Sequence, residues 1–231
     1  MKRDYFFKFL IVAQIVTSCN RNNVAVNNDL KEWKLRGAVK SISEINYSNG
    51  GKYATYLLFN PDGFIQEQST FNPDSSLIRK WKYKYNTQNQ KLIRFCYVLN
   101  DSLSEILHYS YNKKNKITEE KLLNTQGGLI SDVIHEYGAN QNEIERRFKD
   151  EKAKIQDRIL YRYDDKNNII EELNTNFFLH QYWKQKNIYN PEGLNVEILY
   201  LSLNDSLVKR LIYTYLSNKQ VGEVCSYDGK N

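Results

Sequence analysis

The sequence predicts an all-β fold, an antiparallel up-and-down meander of about fourteen strands, on three observations. Aromatic residues recur every 26 positions: Phe59, Tyr85, Tyr111, Tyr137, Tyr163, Tyr189 and Tyr215, with no insertion between them. A fixed period of this size marks a repeat architecture. Further aromatics stand two residues earlier, as in Tyr83/Tyr85 and Tyr161/Tyr163, and a spacing of two puts both rings on one face of a strand. Asn, Asp and Gly gather just after each aromatic, where they supply positive φ or bond their own backbone in a tight turn. Seven two-strand repeats follow. A sheet of that many strands twists strongly or curls, either coiling as an elongated strip or closing on itself.

Each column has a role. One residue after the aromatic stand Asn60, Asn86, Asn112, Gly138, Asp164 and Asn190, with Leu216 the exception; these open the turn. Four residues after it stand Gly63, Asn89, Asn115, Gln141, Asn167, Gly193 and Lys219, the left-handed position. Eight residues after it stand Glu67, Glu119, Glu145, Glu171, Glu197 and Glu223, with Ile93 the exception. A second turn lies half a repeat on, at Asn72-Pro73-Asp74-Ser75, Asn124-Thr125-Gln126-Gly127 and Asp150-Glu151-Lys152, for example.

The stretch Tyr161 to Ile170, with a literal Tyr163-Asp164 at its centre, resembles the RHS/YD-repeat family. The resemblance extends over about Lys52 to Val224. It implies a β-rich scaffold and no activity by itself.

Taken from the start, residues 1–18 read as a lipoprotein signal peptide. Lys2 and Arg3 precede a mostly apolar run, Phe6 to Val16, too short and too broken to span a bilayer. Val16-Thr17-Ser18-Cys19 follows and resembles a bacterial lipobox, which implies cleavage before Cys19 and lipid on its thiol. An ordinary secretory signal with an incidental cysteine is the alternative. Residues 19–34 are read as the lipidated cysteine and a polar tether, and residues 35–231 as the β-repeat domain. Within that domain Leu35 to Ile42 is an opening strand, part of an atypical capping unit such as repeat folds need.

Composition agrees with a sheet protein: 18 Tyr and 10 Phe against 3 Pro and 1 Met. The formal charge is +6; residues 1–18 hold Lys2, Arg3 and Lys8 against Asp4, so cleavage leaves +4. That is weak support for an anionic partner beside the plainer reading of a solvated surface. Cys96 and Cys225 lie about ten strands apart, roughly 45–50 Å in an open sheet, and pair only if the sheet closes; otherwise they are separate thiols.

Four groupings bear on function. The aromatic columns serve either cross-strand packing or ligand contact, with Trp81, Tyr83, Tyr85 and Trp183 the candidate binding residues. Successive members of the Glu column are about 9.5 Å apart, too far for one metal ion, so ion pairs with Lys and Arg are expected. His108, His135 and His180 share no zinc-ligand spacing. Arg79, Lys80, Lys82 and Lys84 cluster about Trp81, Tyr83 and Tyr85, a mixture suited to an anionic glycan or to a solvated strand face; nucleic acid is not expected of an exported chain.

No nucleophile–base or phosphate-loop motif is present, and the sequence calls for no cofactor and no metal. The expectation is a non-catalytic cell-envelope lipoprotein, held to the membrane through Cys19. Its place is the outer membrane facing the periplasm, with surface exposure the alternative. It acts as a binding or scaffold module towards an envelope protein or, alternatively, as a glycan-binding component of an uptake system. The expected core face is Trp81, Tyr83, Tyr85, Leu107, Tyr109, Tyr111, Ile159, Tyr161, Tyr163, Leu211, Tyr213 and Tyr215.

Overall fold

The computed structural model describes residues 10–15, 28–35, 37, 39–48 and 51–229 of the 231. Its elements are β1 (Leu10–Ile15), α1 (Asp29–Glu32), β2 (Val39–Ser48), β3 (Gly51–Phe59), β4 (Ile65–Phe71), β5 (Leu77–Tyr85), β6 (Lys91–Val98), β7 (Ser102–Tyr111), β8 (Ile117–Asn124), β9 (Leu129–Tyr137), β10 (Glu143–Lys149), β11 (Ile155–Tyr163), β12 (Ile169–Asn176), β13 (Gln181–Tyr189), β14 (Asn195–Leu201), β15 (Leu207–Tyr215) and β16 (Val221–Asp228). The strands hydrogen-bond in chain order, so β1 and β16 have one neighbour each and the ladder is not closed. The fourteen strands β3 to β16 are the seven repeats, and every odd-numbered strand among them ends on the central aromatic. Two compact units divide the chain: residues up to Ser110 with Leu122–Gly128, and Tyr111–Lys121 with the residues from Leu129 on. Cys96 and Cys225, one in each unit, are free thiols.

The turns show why Asn recurs. In the loop from Asn86 the first amide donates to the fifth carbonyl, Gln90 O at 2.9 Å, and the fourth amide returns to Asn86 O at 3.0 Å. Asn86 Oδ1 accepts from the amides of Gln88 and Gln90, both at 2.9 Å. This is a type I turn followed by a left-handed residue, the bulged hairpin of three-residue loops. The fourth position has φ between 61° and 84° at Gly63, Asn89, Asn115, Gln141, Asn167, Gly193 and Lys219. Half-repeat turns reuse the loop: Asp150 Oδ1 accepts from Lys152 and Lys154, and Ala153 takes φ 58°. Where Leu216 offers no acceptor, Asn218 Oδ1 takes the Gln220 amide at 3.0 Å.

Part of the expected tether is folded. Asn28 caps α1, its side chain accepting from Lys31 N, and its Nδ2 donates to Asp62 O at 2.8 Å. Asp29 Oδ2 accepts from Ile65 N at 2.6 Å, and Leu30 N donates to Gly63 O at 3.1 Å. α1 therefore closes over the first repeat turn, and Leu30 joins Val39, Ile42, Leu57 and Phe59 in the one buried cluster among the described residues. Upstream, Leu10–Ile15, inside the segment read as a signal peptide, pairs antiparallel with β2; Cys19 lies outside the described residues.

The expected aromatic core is corrected by this arrangement. Of that face only Leu107 is buried; the tyrosines and Trp81 are half-buried. A sheet face reaches full burial only under a second layer, and α1, the only helix among the described residues, covers just the first repeat. Tyr85, Tyr163 and Tyr215 instead give their hydroxyls to main-chain carbonyls.

Candidate functional site

Strand alternation divides the residues that the sequence draws together. Trp81, Tyr83 and Tyr85 occupy one face of β5, and Lys80, Lys82 and Lys84 the other. On the tryptophan face the guanidinium groups of Arg79 and Arg94 lie 5.7 and 6.0 Å from the Trp81 ring. Burial pushes the Tyr83 hydroxyl up to about 12 and raises that of Tyr85 further. Tyr85 Oη donates to Ile65 O at 2.7 Å, and its ring meets Phe64 at 5.4 Å. These rings are engaged in packing. Trp183, on β13 in the other unit, is 39% exposed and free of such packing partners in the described ring contacts.

The lysine face holds a groove. Cross-strand register lines up Ser43, Tyr56, Ser69, Lys80 and Tyr97 in one row over β2 to β6. The next row is Ser41, Leu58, Glu67, Lys82 and Phe95. Small residues in the floor, Ser43, Ala54 and Ser69, leave a groove of about 770 Å³ between Tyr56, Phe71 and Leu77. At one end Lys80 Nζ meets Asp101 Oδ2 at 2.6 Å, and Ser69 Oγ donates to Glu67 Oε1 at 3.1 Å. A second hollow of about 400 Å³ adjoins it, lined by Glu67, Lys82, Phe95 and Tyr97. Lys80 and Lys82 lie 5.9 and 5.4 Å from the Tyr97 ring, and Lys84 5.2 Å from that of Phe95. An apolar wall with few convergent polar groups is the usual make-up of a small-molecule site.

The groove was not legible as a site. Ser43, Tyr56 and Ser69 follow each other at half-repeat intervals, which was the available signal, but the register slips at Thr70/Phe71 and Lys84/Tyr85 bring in Lys80 and Tyr97 at other spacings. The Glu column behaves as expected of ion pairs. Glu67 faces Lys82 at 3.9 Å, Glu145 Arg158 at 2.7 Å, Glu171 Arg162 at 3.5 Å and Glu197 Arg210 at 2.5 Å.

One polar cluster escaped the column analysis. His135 takes a tyrosine position two residues before Tyr137 and lies almost wholly inside. Its Nδ1 is 2.5 Å from Glu143 Oε1 and its Nε2 3.2 Å from Glu120 Oε1. Glu143 also receives Arg146 Nε at 3.0 Å and Nη2 at 2.6 Å. The hydrogen bonds to Glu120 and Glu143 raise the imidazole to about 9. Burial works to raise the Glu143 carboxyl, but His135 and Arg146 together bring it below its usual range. With both ring nitrogens donating to carboxylates, this imidazolium is a strut between strands rather than a base.

No family model matches the chain, and no curated protein does. Solved structures do. The TcdB2-TccC3-Cdc42 crystal structure is 15% identical with a TM-score of 0.50 over 94% of this chain and 12% of that one. The TcdB2-TccC3 structure is 16% identical, TM-score 0.48, over 82% and 12%. A porin-like protein from Bacteroides uniformis is 10% identical, TM-score 0.46, over 81% and 92%. The chain thus spans about an eighth of the first two. Together with the strand order and the turn columns, the first of these likenesses makes the fold RHS-like.

Proposed function

We propose that this chain is a non-catalytic binding module of the cell envelope, anchored by lipid at Cys19, and that its ligand is a glycan held in the groove on the lysine face. The observation that carries this reading is the Ser43–Tyr56–Ser69–Lys80 row beside the Lys80–Asp101 pair. A sugar offers an apolar ring face for Tyr56 and Phe71 and hydroxyls for Ser69, Asp101 and Glu67. Catalysis is not part of the proposal because Glu67, Glu145, Glu171 and Glu197 of the Glu column are engaged with Lys or Arg, and the His135 imidazole with two carboxylates.

Calorimetric titration of the protein with an envelope-glycan panel tests the reading. Binding is expected to weaken roughly tenfold or more in Tyr56→Ala and Asp101→Asn and to persist in Trp81→Ala. Saturable glycan hydrolysis would refute the non-catalytic reading. A blank panel together with a stoichiometric protein partner would make the sheet a scaffold. For the anchor, palmitate labelling should be lost in Cys19→Ala.

A further inference from the structure

The hairpin between β12 and β13 differs from its counterparts. Half-repeat turns elsewhere are mainly polar, with a single exposed leucine at Leu99 and at Leu203; this one carries Phe177-Phe178-Leu179-His180. Exposure rises towards its tip, from Trp183 at 39% and Tyr182 at 41% to Leu179 at 55% and Phe178 at 75%. In the same unit the next half-repeat hairpin, between β14 and β15, adds exposed Leu203 and Val208.

We propose that this aromatic tip seats in the interfacial layer of a lipid bilayer, independently of any lipid on Cys19. Two features favour a bilayer over water or a protein. Phe178 and Leu179 are the most exposed apolar residues of this hairpin; the polar His180 and Gln181 come next, Tyr182 and Trp183 follow with one polar atom each, and Lys184, paired with Asp205, and Lys186 stand behind. That is the order of acyl chain, interface and headgroup.

Two of the tip's amides have partners. Phe177 N donates to Gln156 O at 2.8 Å and Leu179 N to Asn176 Oδ1 at 2.6 Å, while Asn176 Nδ2 is held by Asp157 Oδ1 at 2.7 Å. Burial of unpaired amides is what bars most loops from lipid.

The test uses the full chain carrying Cys19→Ser, so that no lipid is attached, and vesicles of phosphatidylethanolamine with a minority of phosphatidylglycerol. Tryptophan is introduced at Phe178 or, as the control at the opposite ends of the hairpins, at exposed Leu216. Brominated lipid is expected to quench the emission added by Phe178→Trp and not that added by Leu216→Trp. The pair Phe178→Asp and Leu179→Asp should lower vesicle partitioning roughly tenfold or more with unchanged far-UV circular dichroism. Equal quenching at both positions, or unchanged partitioning, overturns the proposal. Self-association that is lost in the Asp variants, without quenching at position 178, overturns it too and assigns the tip to a second copy of the chain.

Discussion

Tyr163 Oη donates to the main-chain carbonyl of Glu143, 2.7 Å away and 20 residues earlier in the chain. The same step joins Tyr85 to Ile65, Tyr137 to Ile117, Tyr189 to Ile169 and Tyr215 to Asn195. Each acceptor is the first residue of the preceding even-numbered strand, just where the ladder slips register beside the preceding central aromatic, as at Phe59↔Ile65 and Tyr163↔Ile169. A bulge leaves main-chain groups outside the ladder. The phenol of the next repeat closes one of them and so ties each repeat to its neighbour.

Tyr163→Phe is therefore expected to destabilise by about 1 kcal/mol, the net worth of one hydrogen bond. That corresponds to a fall in Tm of roughly 2–4 °C for a chain of this size. Tyr213→Phe, in the other tyrosine column, where the described hydroxyl has no bonded partner, should move Tm by less. Equal shifts for the two would remove the phenol–carbonyl bond as the reason for the 26-residue tyrosine column.

Gly63 and Gly193 occupy equivalent left-handed positions, with φ of 84° and 79°. An added Cβ at Gly63 would meet Asn28 Nδ2 at 2.4 Å and Leu30 Cδ1 at 3.0 Å, whereas nothing lies within 4 Å of one at Gly193. Gly193→Ala should cost about 1 kcal/mol of backbone strain, and Gly63→Ala measurably more. Asn28→Ala should relieve part of the excess in chemical denaturation. If both glycines cost the same, α1 does not dock on the first turn in solution.

The His135 cluster makes stability pH-dependent. Its folded-state value of about 9 lies above the ordinary 6.5, so the folded state holds the proton more tightly than the unfolded state. The stabilisation is complete below about 6.5 and is lost as the pH rises through 9. Tm should fall across that window in the native chain, and the fall should flatten in His135→Gln. A slope that survives the substitution would place the titrating group elsewhere.

Burial raises the Cys96 thiol, while Cys225 lies on β16 with most of its neighbours exposed. With Cys19 replaced by Ser, a thiol reagent should therefore label Cys225 quickly and Cys96 only as fast as the fold opens. Labelling of both at one rate would mean that the first unit opens as readily as the C-terminal strand.

Local chemistry carried most of the architecture into the sequence. The strand period, the Asn and Gly columns and the 26-residue step are all set within one hairpin, so the fourteen repeat strands, every central turn and the left-handed position of each central turn could be read before any contact was known. The Glu column's pairing with Lys and Arg was legible for the same reason, since each pair joins neighbouring strands.

What only the tertiary structure decided depends on relations between strands or across faces. Alternation along β5 separates Trp81 from Lys80 and Lys82, although they are adjacent in sequence. Register slips bring Ser69, Lys80 and Tyr97 into one row. The helical turn at Asp29–Glu32 exists because it covers Gly63, not because four residues favour a helix. Burial was decided there as well: the aromatic columns look like a core in one dimension, but a single sheet buries a face only where something lies over it.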